Sequence, residues 1–302
     1  MAIKCISTPN GNVTFPNFSP VTTYGEKYPL DKLLRPYLLK LSNSVMVSHY
    51  YAQFMKPNER PNCPLLVDSG GFAALFHNTK IRKSKGLGTL IINNEDGSET
   101  LTPESVLRFQ ETIADIAFTL DFPIPPNTLS KEAKRRQNLT ITNALWALEN
   151  KQNIKMKLFA CIQAWDEKSA MANAIAYKDQ GFDGIAIGGL VPRIRNKELV
   201  EYIVKTVRAV IPDLPMHIFG IGKPATVEWL LGLGANSFDS SSYVQSAVAG
   251  DCWNYKKIKE QTNQFEKMLV SLNNLAKFTK HTLPPNISWQ IEQLFEVNKD
   301  KN

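Results

Sequence analysis

The chain has 302 residues, enough to bury a sizeable core as one large domain or as one domain with an appendage. Its hydrophobic content of 43% and charged content of 21% are those of an ordinary globular protein, and no apolar stretch approaches the roughly 18 residues of a membrane-spanning helix. The net charge of +7 favours an anionic partner, although solubility alone explains such a charge equally well. We expect neither a membrane span nor a signal peptide, because no charged and then apolar leader follows Met1.

The cysteines and histidines argue against a metal site. The four cysteines show no Cys-x-x-Cys spacing, and the four histidines show no metal-ligand spacing either. These residues are Cys5, Cys63, Cys161 and Cys252, and His49, His77, His217 and His281. The sequence therefore predicts no metal site. Unpaired thiols are typical of a reducing compartment, so the sequence also predicts a cytoplasmic location.

The first part of the chain predicts strands and a polar insertion. Residues 1–30 are expected to be irregular because four prolines interrupt them, and strands are predicted at 45–51 and 65–67. Between Lys80 and Thr102, a short apolar run and an Asn-Glu-Asp-Gly turn signal predict a hairpin insertion. Thr102 is then predicted to be the N-cap of a helix.

The rest of the chain alternates strands with helices. Predicted strands lie at 117–120, 157–163, 184–188, 216–221 and 236–239, and predicted helices at 131–150, 167–180, 196–210 and 224–232. This rhythm is typical of parallel βα units, so the predicted fold is an α/β (β/α)8 TIM barrel. A doubly wound open sheet is the competing fold, but no Gly-x-Gly-x-x-Gly follows the first strand. We assign residues 1–250 to the barrel and 251–302 to a helical C-terminal appendage.

Polar residues follow five of the predicted strands, at the carboxyl end of each. Asp68-Ser69-Gly70-Gly71-Phe72 follows one strand, and the other strands end at Asp121, Gln163, Gly188-Gly189 and Asp239. A single acid in such a place is more often a helix N-cap or a turn residue than a catalyst. Five together are typical of an α/β barrel, whose active site is built from these strand ends.

Further short motifs accompany these residues in a fixed order along the chain. After Asp68-Ser69-Gly70-Gly71-Phe72 come Asp96-Gly97-Ser98 with Leu101-Thr102-Pro103-Glu104, then Gln110 with Asp115-Ile116 and Leu120-Asp121, Gln163, Gly188-Gly189-Leu190, Gly220-Ile221-Gly222-Lys223-Pro224 and Phe238-Asp239. In identity and order they resemble the tRNA-guanine transglycosylase family. The resemblance implies a TIM barrel and a pentosyltransferase that exchanges guanine in a nucleic acid for a free 7-deazaguanine base, without a cofactor.

The resemblance also implies a role for each motif residue. Asp239 would be the nucleophile that forms a covalent glycosyl–enzyme intermediate, and Asp68 would be the general acid and base. Asp121 would bind the guanine N1–H and amino edge, and Gln163 and the Gly189 backbone would contact the other edge. The implied base-binding set is Ser69, Gly70, Phe72, Asp121, Gln163, Gly188, Gly189 and Phe219, with Phe72 and Phe219 stacking on the base.

Some departures from the family pattern favour DNA over tRNA as the nucleic acid. The tRNA enzymes carry a zinc site of three cysteines and a histidine after the nucleophile, whereas only Cys252 follows Asp239 here. The chain also has Ser240-Ser241-Ser242-Tyr243 in place of a Pro-Thr-Arg stretch, and Ala73 where the family usually has Gln. These features look more like the branch that modifies DNA in bacteria and phages, so we expect a bacterial or phage-infected host cell. Exchange on tRNA is the alternative.

Three basic segments are candidates for phosphate contacts, although each taken alone is more often a solvated face. They are Arg82, Lys83 and Lys85; Lys131, Lys134, Arg135 and Arg136; and Lys256, Lys257 and Lys259.

Two other functions compete with base exchange. One is a non-catalytic accessory barrel that binds a partner protein or nucleic acid, but such a subunit would have no chemical reason to keep all three acids. The other is an unrelated barrel that binds phosphate at Gly188-Gly189 and Gly220–Gly222, and it leaves the acids unexplained.

Overall fold

The computed structural model describes residues 4–24, 29–95, 97–253, 263–279, 282–283 and 285–299. Its strands are β1 (Cys5–Thr8), β2 (Gly11–Thr14), β3 (Asn17–Pro20), β4 (Val45–Ser48), β5 (Leu65–Asp68), β6 (Thr79–Ser84), β7 (Leu87–Asn94), β8 (Gly97–Leu101), β9 (Ile116–Phe118), β10 (Lys157–Gln163), β11 (Gly184–Gly188), β12 (Met216–Ile218) and β13 (Ser237–Ser240). Its helices are α1 (Pro29–Leu41), α2 (His49–Ala52), α3 (Pro103–Ile113), α4 (Ser130–Asn150), α5 (Glu167–Tyr177), α6 (Lys197–Val210), α7 (Pro224–Gly232), α8 (Ser242–Val248), α9 (Gln264–Thr279) and α10 (Pro285–Lys299).

Eight parallel strands form the central sheet. They lie in the order β3-β13-β12-β11-β10-β9-β5-β4. From β4 to β13, each barrel strand therefore pairs with the barrel strand that follows it in the chain. A parallel bridge between Val21 and Met46, with Thr22 N–H donating to Met46 O at 2.9 Å, joins the end of β3 to β4 and completes the ring. The predicted TIM barrel is confirmed.

Strand periodicity divides the core of the barrel into two layers. On β10, Leu158, Ala160 and Ile162 face outward and pack beneath the surrounding helices, whereas Phe159 and Cys161 face the barrel interior. Strands buried on both faces read as continuous apolar runs, and this is why β10 and β11 were predictable from sequence.

The prediction that residues 1–30 are irregular is wrong. β1 and β2 form an antiparallel hairpin, whose Val13 is buried in the inner core of the barrel, and β3 is a strand of the barrel itself. β3 reads Asn-Phe-Ser-Pro, without an apolar run, because its inward polar groups are satisfied by other buried groups. The Asn17 amide lies 3.0 Å from the hydroxyls of both Ser19 and Ser44.

The insertion forms a small sheet of its own. β6, β7 and β8 pair antiparallel, which confirms the predicted hairpin and adds a third strand to it. Its apolar face, including Leu90 and Leu101, packs against Phe122 and against Leu139 of α4. The predicted cap is confirmed, because the Thr102 side chain accepts a hydrogen bond from the backbone N–H of Ser105 at the start of α3.

Besides the strand predicted at 117–120, which stops at Phe118, two predicted strands end earlier than expected. The run at 45–51 becomes helix α2 after Ser48, whose hydroxyl accepts from Tyr51 N–H, and the run at 216–221 leaves the sheet after Ile218. The polar cap of Ser48 and the glycine at Gly220, with φ of +72°, explain these ends.

After the barrel, α9 packs against α1, α8 and β3. Its Leu272 and Leu275 are fully buried in the same core as the barrel helices. The basic segment of Lys256, Lys257 and Lys259 lies outside the described residues. The domain division at residue 250 stays a prediction.

Candidate active site

Strand periodicity brings five predicted site residues to the carboxyl end of the barrel interior. Successive side chains on a strand alternate faces, so the residue two places after an inward-facing one also points inward. In this way Leu66 is followed by Asp68, Cys161 by Gln163, Ala186 by Gly188, His217 by Phe219 and Ser237 by Asp239. The site therefore rests directly on the inner core, and Asp121 joins it from the loop after β9.

The turn after β5 packs directly against Asp121. Gly70 adopts φ of +78°, which a residue with a side chain rarely tolerates, and the chain then enters a short 3-10 helix at Gly71. A Cβ on Gly71 would lie 2.1 Å from the carbonyl oxygen of Asp121, so only glycine permits this approach. Ser69 N–H donates to the Asp68 carboxylate at 2.7 Å.

Asp121 is the centre of a buried polar cluster. Its two carboxylate oxygens accept from the Ser69 hydroxyl at 3.0 Å and from the Gln163 side-chain amide at 2.6 Å. Burial raises the pKa of Asp121, and the hydrogen bonds from Gln163 and Ser69 oppose that rise. The Gln163 Oε1 atom is buried without a hydrogen-bond partner among the described residues, so the cluster offers an acceptor to a ligand.

Asp68 is poised for proton transfer near neutral pH. Burial raises its pKa to about 7, and the negative charges of Asp121 and Asp239 add to the rise, against hydrogen bonds from the N–H groups of Ser69 and Gly70. A carboxyl group with such a pKa is populated in both protonation states at neutral pH. This is what a residue that first donates and then accepts a proton requires.

Asp239 on β13 is held at one of its two oxygens. Its Oδ1 accepts from His217 Nε2 at 3.0 Å and from Gly220 N–H at 3.1 Å. Among the described residues, no hydrogen bond reaches its Oδ2. Asp239 therefore offers one fixed and one available carboxylate oxygen, the arrangement that a carboxylate nucleophile needs.

Sequence reasoning missed two residues of the site. The spacing of the histidines gives His217 no role as a metal ligand, but its place two residues before Phe219 on β12 indicates that it faces inward. Arg193, which is 6% exposed, donates to the carbonyl oxygen of Gly189 at 2.8 Å. No spacing in the sequence connects this arginine to the site.

The two consecutive glycines let the backbone lie directly against the Gln163 side chain. A Cβ on Gly188 would lie 2.2 Å from the Gln163 amide nitrogen, and Gly189 adopts φ of +73°. Both positions therefore require glycine, one for space and one for backbone conformation.

The two predicted stacking residues lie at different depths. Phe72 is 61% exposed and meets Phe76 edge to face, with ring centroids 5.9 Å apart. Phe219 is partly buried and packs edge to face on Phe118 at 4.9 Å. Their stacking on the two faces of one base stays a prediction.

The fold brings two of the predicted basic segments together. Arg82, Lys83 and Lys85 are exposed on and just after β6, and Arg135 of α4 reaches the backbone of the same strand. Arg135 and Arg136 are both paired with Glu132, so their charges are partly neutralised. Lys131 and Lys134 are exposed as well.

Within the part of the chain that the structure describes, no cluster of three or more His, Cys, Asp or Glu residues is arranged to hold a metal ion. None of the described helices is both long enough and apolar enough to cross a membrane.

Comparison with known proteins gives one family. A family model described as queuine tRNA-ribosyltransferase matches residues 3–274. The chain belongs to the queuine tRNA-ribosyltransferase family. The resemblance to tRNA-guanine transglycosylases that the motifs indicated is confirmed.

Individual relatives share less than a third of their residues with the chain. The queuine tRNA-ribosyltransferase of Helicobacter pylori strain HPAG1 is 30% identical over 257 residues, which cover 76% of this chain and 66% of the relative. That of strain Shi470 is 29% identical over the same coverage. That of Francisella tularensis subsp. novicida strain U112 is 28% identical, and the match covers 78% of this chain and 67% of the relative. The chain thus spans about two thirds of the length of these relatives.

Proposed function

We propose that the protein is a pentosyltransferase that replaces guanine in tRNA with a free 7-deazaguanine base, through a covalent intermediate on Asp239. The observation that carries the proposal is the convergence of Asp68, Asp121 and Asp239 at one end of the barrel, each in a different environment. Asp68 is poised to titrate near neutral pH, Asp121 is tied into a hydrogen-bonded cluster, and Asp239 has one oxygen available.

In the first half of the reaction, Asp239 Oδ2 attacks the sugar C1′. The bond from C1′ to guanine N9 breaks, and its electron pair leaves with the base. The departing base takes a proton from protonated Asp68. A carboxylate beside an oxocarbenium-like centre also stabilises the positive charge that develops there.

In the second half, the incoming base loses a proton to the Asp68 carboxylate and attacks C1′ through the nitrogen that carried this proton. The bond from C1′ to Asp239 breaks, and the carboxylate is restored. Each proton that Asp68 gives is returned, so exchange needs no cofactor.

Recognition of the base is assigned to the buried polar cluster. The Asp121 carboxylate matches the N1–H and amino donors that guanine and its 7-deaza analogues share. Gln163 supplies further hydrogen bonding through its unpartnered Oε1, and the backbone of Gly189 is assigned to the other edge of the base. Ser69 keeps Asp121 in place, since its hydroxyl donates to that carboxylate.

The names of the relatives support tRNA as the first substrate to test. DNA, the nucleic acid that the departures from the family pattern favour, is kept as the second candidate because of Ser240–Ser242 and the single cysteine after Asp239. In this proposal the exchange takes place in the cytoplasm of a bacterial cell or of a phage-infected host, whichever nucleic acid is the substrate.

The two competing functions have less support. The accessory-subunit hypothesis does not account for the shifted pKa of Asp68 beside two other acids. The phosphate-barrel hypothesis requires open space at the late glycines. A Cβ on Gly222 would lie 1.9 Å from the Ser242 hydroxyl, so that backbone is already covered by side chains.

An exchange assay tests the proposal. The purified protein is incubated with radiolabelled guanine and, in parallel, unmodified tRNA, single-stranded DNA or double-stranded DNA. Label in tRNA supports the proposal, label in DNA alone moves the substrate to DNA, and label in none of them contradicts base exchange.

The Asp239→Asn variant tests the role of Asp239 as the nucleophile. Because the amide is nearly isosteric but a far weaker nucleophile, we expect an unchanged unfolding midpoint and exchange reduced by at least about 1,000-fold. Exchange at the native rate in this variant would remove Asp239 from the role of nucleophile.

A further inference from the structure

His217 lies directly beneath the proposed nucleophile. It is 0% exposed on β12, and the rings of Phe118 and Phe219 lie with centroids 5.0 Å from its own. Both ring nitrogens have partners: Nε2 lies 3.0 Å from Asp239 Oδ1, and Nδ1 lies 2.8 Å from the Ser237 hydroxyl. The imidazole is therefore fixed by packing on its faces and by hydrogen bonds at its edge.

The chemistry of the partners decides which nitrogen carries hydrogen. An ionised carboxylate only accepts, so Nε2 must donate to Asp239. In the neutral ring, Nδ1 then accepts from the Ser237 hydroxyl, and in the imidazolium both nitrogens donate. In either state Nε2–H points at Oδ1, and Gly220 N–H donates to the same oxygen at 3.1 Å.

We propose that His217 is a positioning residue for the nucleophile, and that it selects Oδ2 of Asp239 as the attacking oxygen. The inference rests on the proposed base exchange and deepens it. Two donors from β12 and the turn after it occupy Oδ1. The carboxylate is thereby prevented from rotating, and Oδ2 is left directed at the substrate.

The same contacts serve both halves of the reaction. When Oδ2 forms its bond to C1′, Oδ1 becomes the carbonyl oxygen of the ester and continues to accept from Nε2–H. When the incoming base attacks C1′, the electron pair of the ester bond returns to Oδ2, and the restored charge is again stabilised through Oδ1. His217 gives up no proton in either step.

Substitutions that move the donor separate positioning from packing. In His217→Gln the side-chain amide can place an N–H near the position of Nε2, whereas in His217→Asn the shorter side chain places it near Nδ1. His217→Leu removes the donor and keeps an apolar side chain in the core.

Each variant is assayed for exchange with labelled guanine, on the nucleic acid that the native chain modifies. We expect His217→Gln to keep kcat within about threefold of the native value. His217→Asn and His217→Leu should lose about 10–100-fold in kcat, with little change in KM for guanine, because Asp121 and Gln163 are untouched.

Two results would overturn the inference while the proposed function stands. One is a native kcat in His217→Leu, and the other is an equal loss in all three variants, which indicates packing alone. If the native chain exchanges no base, the proposed function and this inference both fail. Should His217→Leu not fold, Ser237→Ala replaces it: we expect a three- to tenfold fall in kcat with an unchanged KM, and a native kcat there contradicts the positioning role.

Discussion

Among the individual residues, Asp68 couples the chemistry of the site to the stability of the protein. Its pKa is raised from 3.8 in the free side chain to about 7 in the fold, mainly by burial. Between these two pH values the unfolded chain has lost the proton and the folded chain has kept it. The folded state binds more protons in this window, so this group makes the protein less stable as pH rises from about 4 to 7.

Replacing Asp68 with Asn removes this loss. The free energy of unfolding of Asp68→Asn should exceed that of the native protein above pH 7 by about 1–4 kcal/mol, and the difference should shrink towards pH 4. Urea unfolding at pH 4.5, 6 and 8 measures it. A difference that does not vary with pH would show that Asp68 is ionised normally.

Substitution of Gly71 tests how closely the turn after β5 must approach Asp121. In Gly71→Ala the added Cβ meets backbone rather than a flexible side chain. We expect a loss of about 1–3 kcal/mol in unfolding free energy and a higher KM for guanine, because Asp121 must move. Gly232→Ala at the end of α7 is the control. A Cβ there has nothing within 4 Å, so KM should be unchanged and the unfolding free energy should not fall. Native values for Gly71→Ala would show that the turn relaxes freely.

The predictability of the site differs from residue to residue. Asp68, Asp121 and Asp239 could be found because an acid after an apolar run is conspicuous and the strands of a barrel end at one face. His217 could not be found so easily, because a single polar residue within an apolar stretch has many structural reasons to be there. Arg193 lies close to Arg195 and Asn196 in the sequence, and nothing in that segment sets it apart. Their place in the candidate site depends on which atoms they touch, and sequence periodicity does not specify that.

At the level of secondary-structure elements, the first barrel strand shows where sequence patterns fail. β3 has four residues, includes Pro20, and is buried along its whole length. Its stability comes from partners distant in sequence, namely β13 and the Ser44 hydroxyl. No local propensity reports such partners, whereas the longer apolar strand β10 is evident from its own residues.

The basic segments on β6 and α4 carry a prediction about nucleic-acid binding. Lys83→Ala combined with Lys85→Ala should raise KM for the nucleic acid and leave kcat nearly unchanged. The salt dependence of binding should weaken, with the logarithmic slope falling by about 0.7 for each phosphate of a single strand that the variant no longer neutralises.

A charge-matched variant provides the control for this test. Lys155 and Lys178 are also exposed but lie near the opposite end of the barrel, before β10 and after α5. Lys155→Ala combined with Lys178→Ala should leave KM and the salt slope unchanged. Equal effects of the two double variants would mean that only the total charge matters.

For the molecule as a whole, the packing of α9 predicts one cooperative unit. Leu272→Ala should lower the unfolding free energy by about 2–5 kcal/mol within a single transition. Leu39→Ala on α1, where the side chain is 43% exposed, is the control and should cost well under 1 kcal/mol. A separate early transition in Leu272→Ala would instead support the independent appendage that the boundary at residue 250 predicts.

The pairing of β3 with β13 also bears on how the protein is made. Ser19 lies beside Asp239 in the sheet, so the strand that carries the proposed nucleophile pairs with a neighbour synthesised about 220 residues earlier. At ribosomal speeds, roughly 10–45 seconds separate the two segments. During that interval β3 has no partner on that side, and the nascent chain must keep an open strand edge from associating with other chains. The ring closes, and the proposed active site first exists, only after β13 has been synthesised.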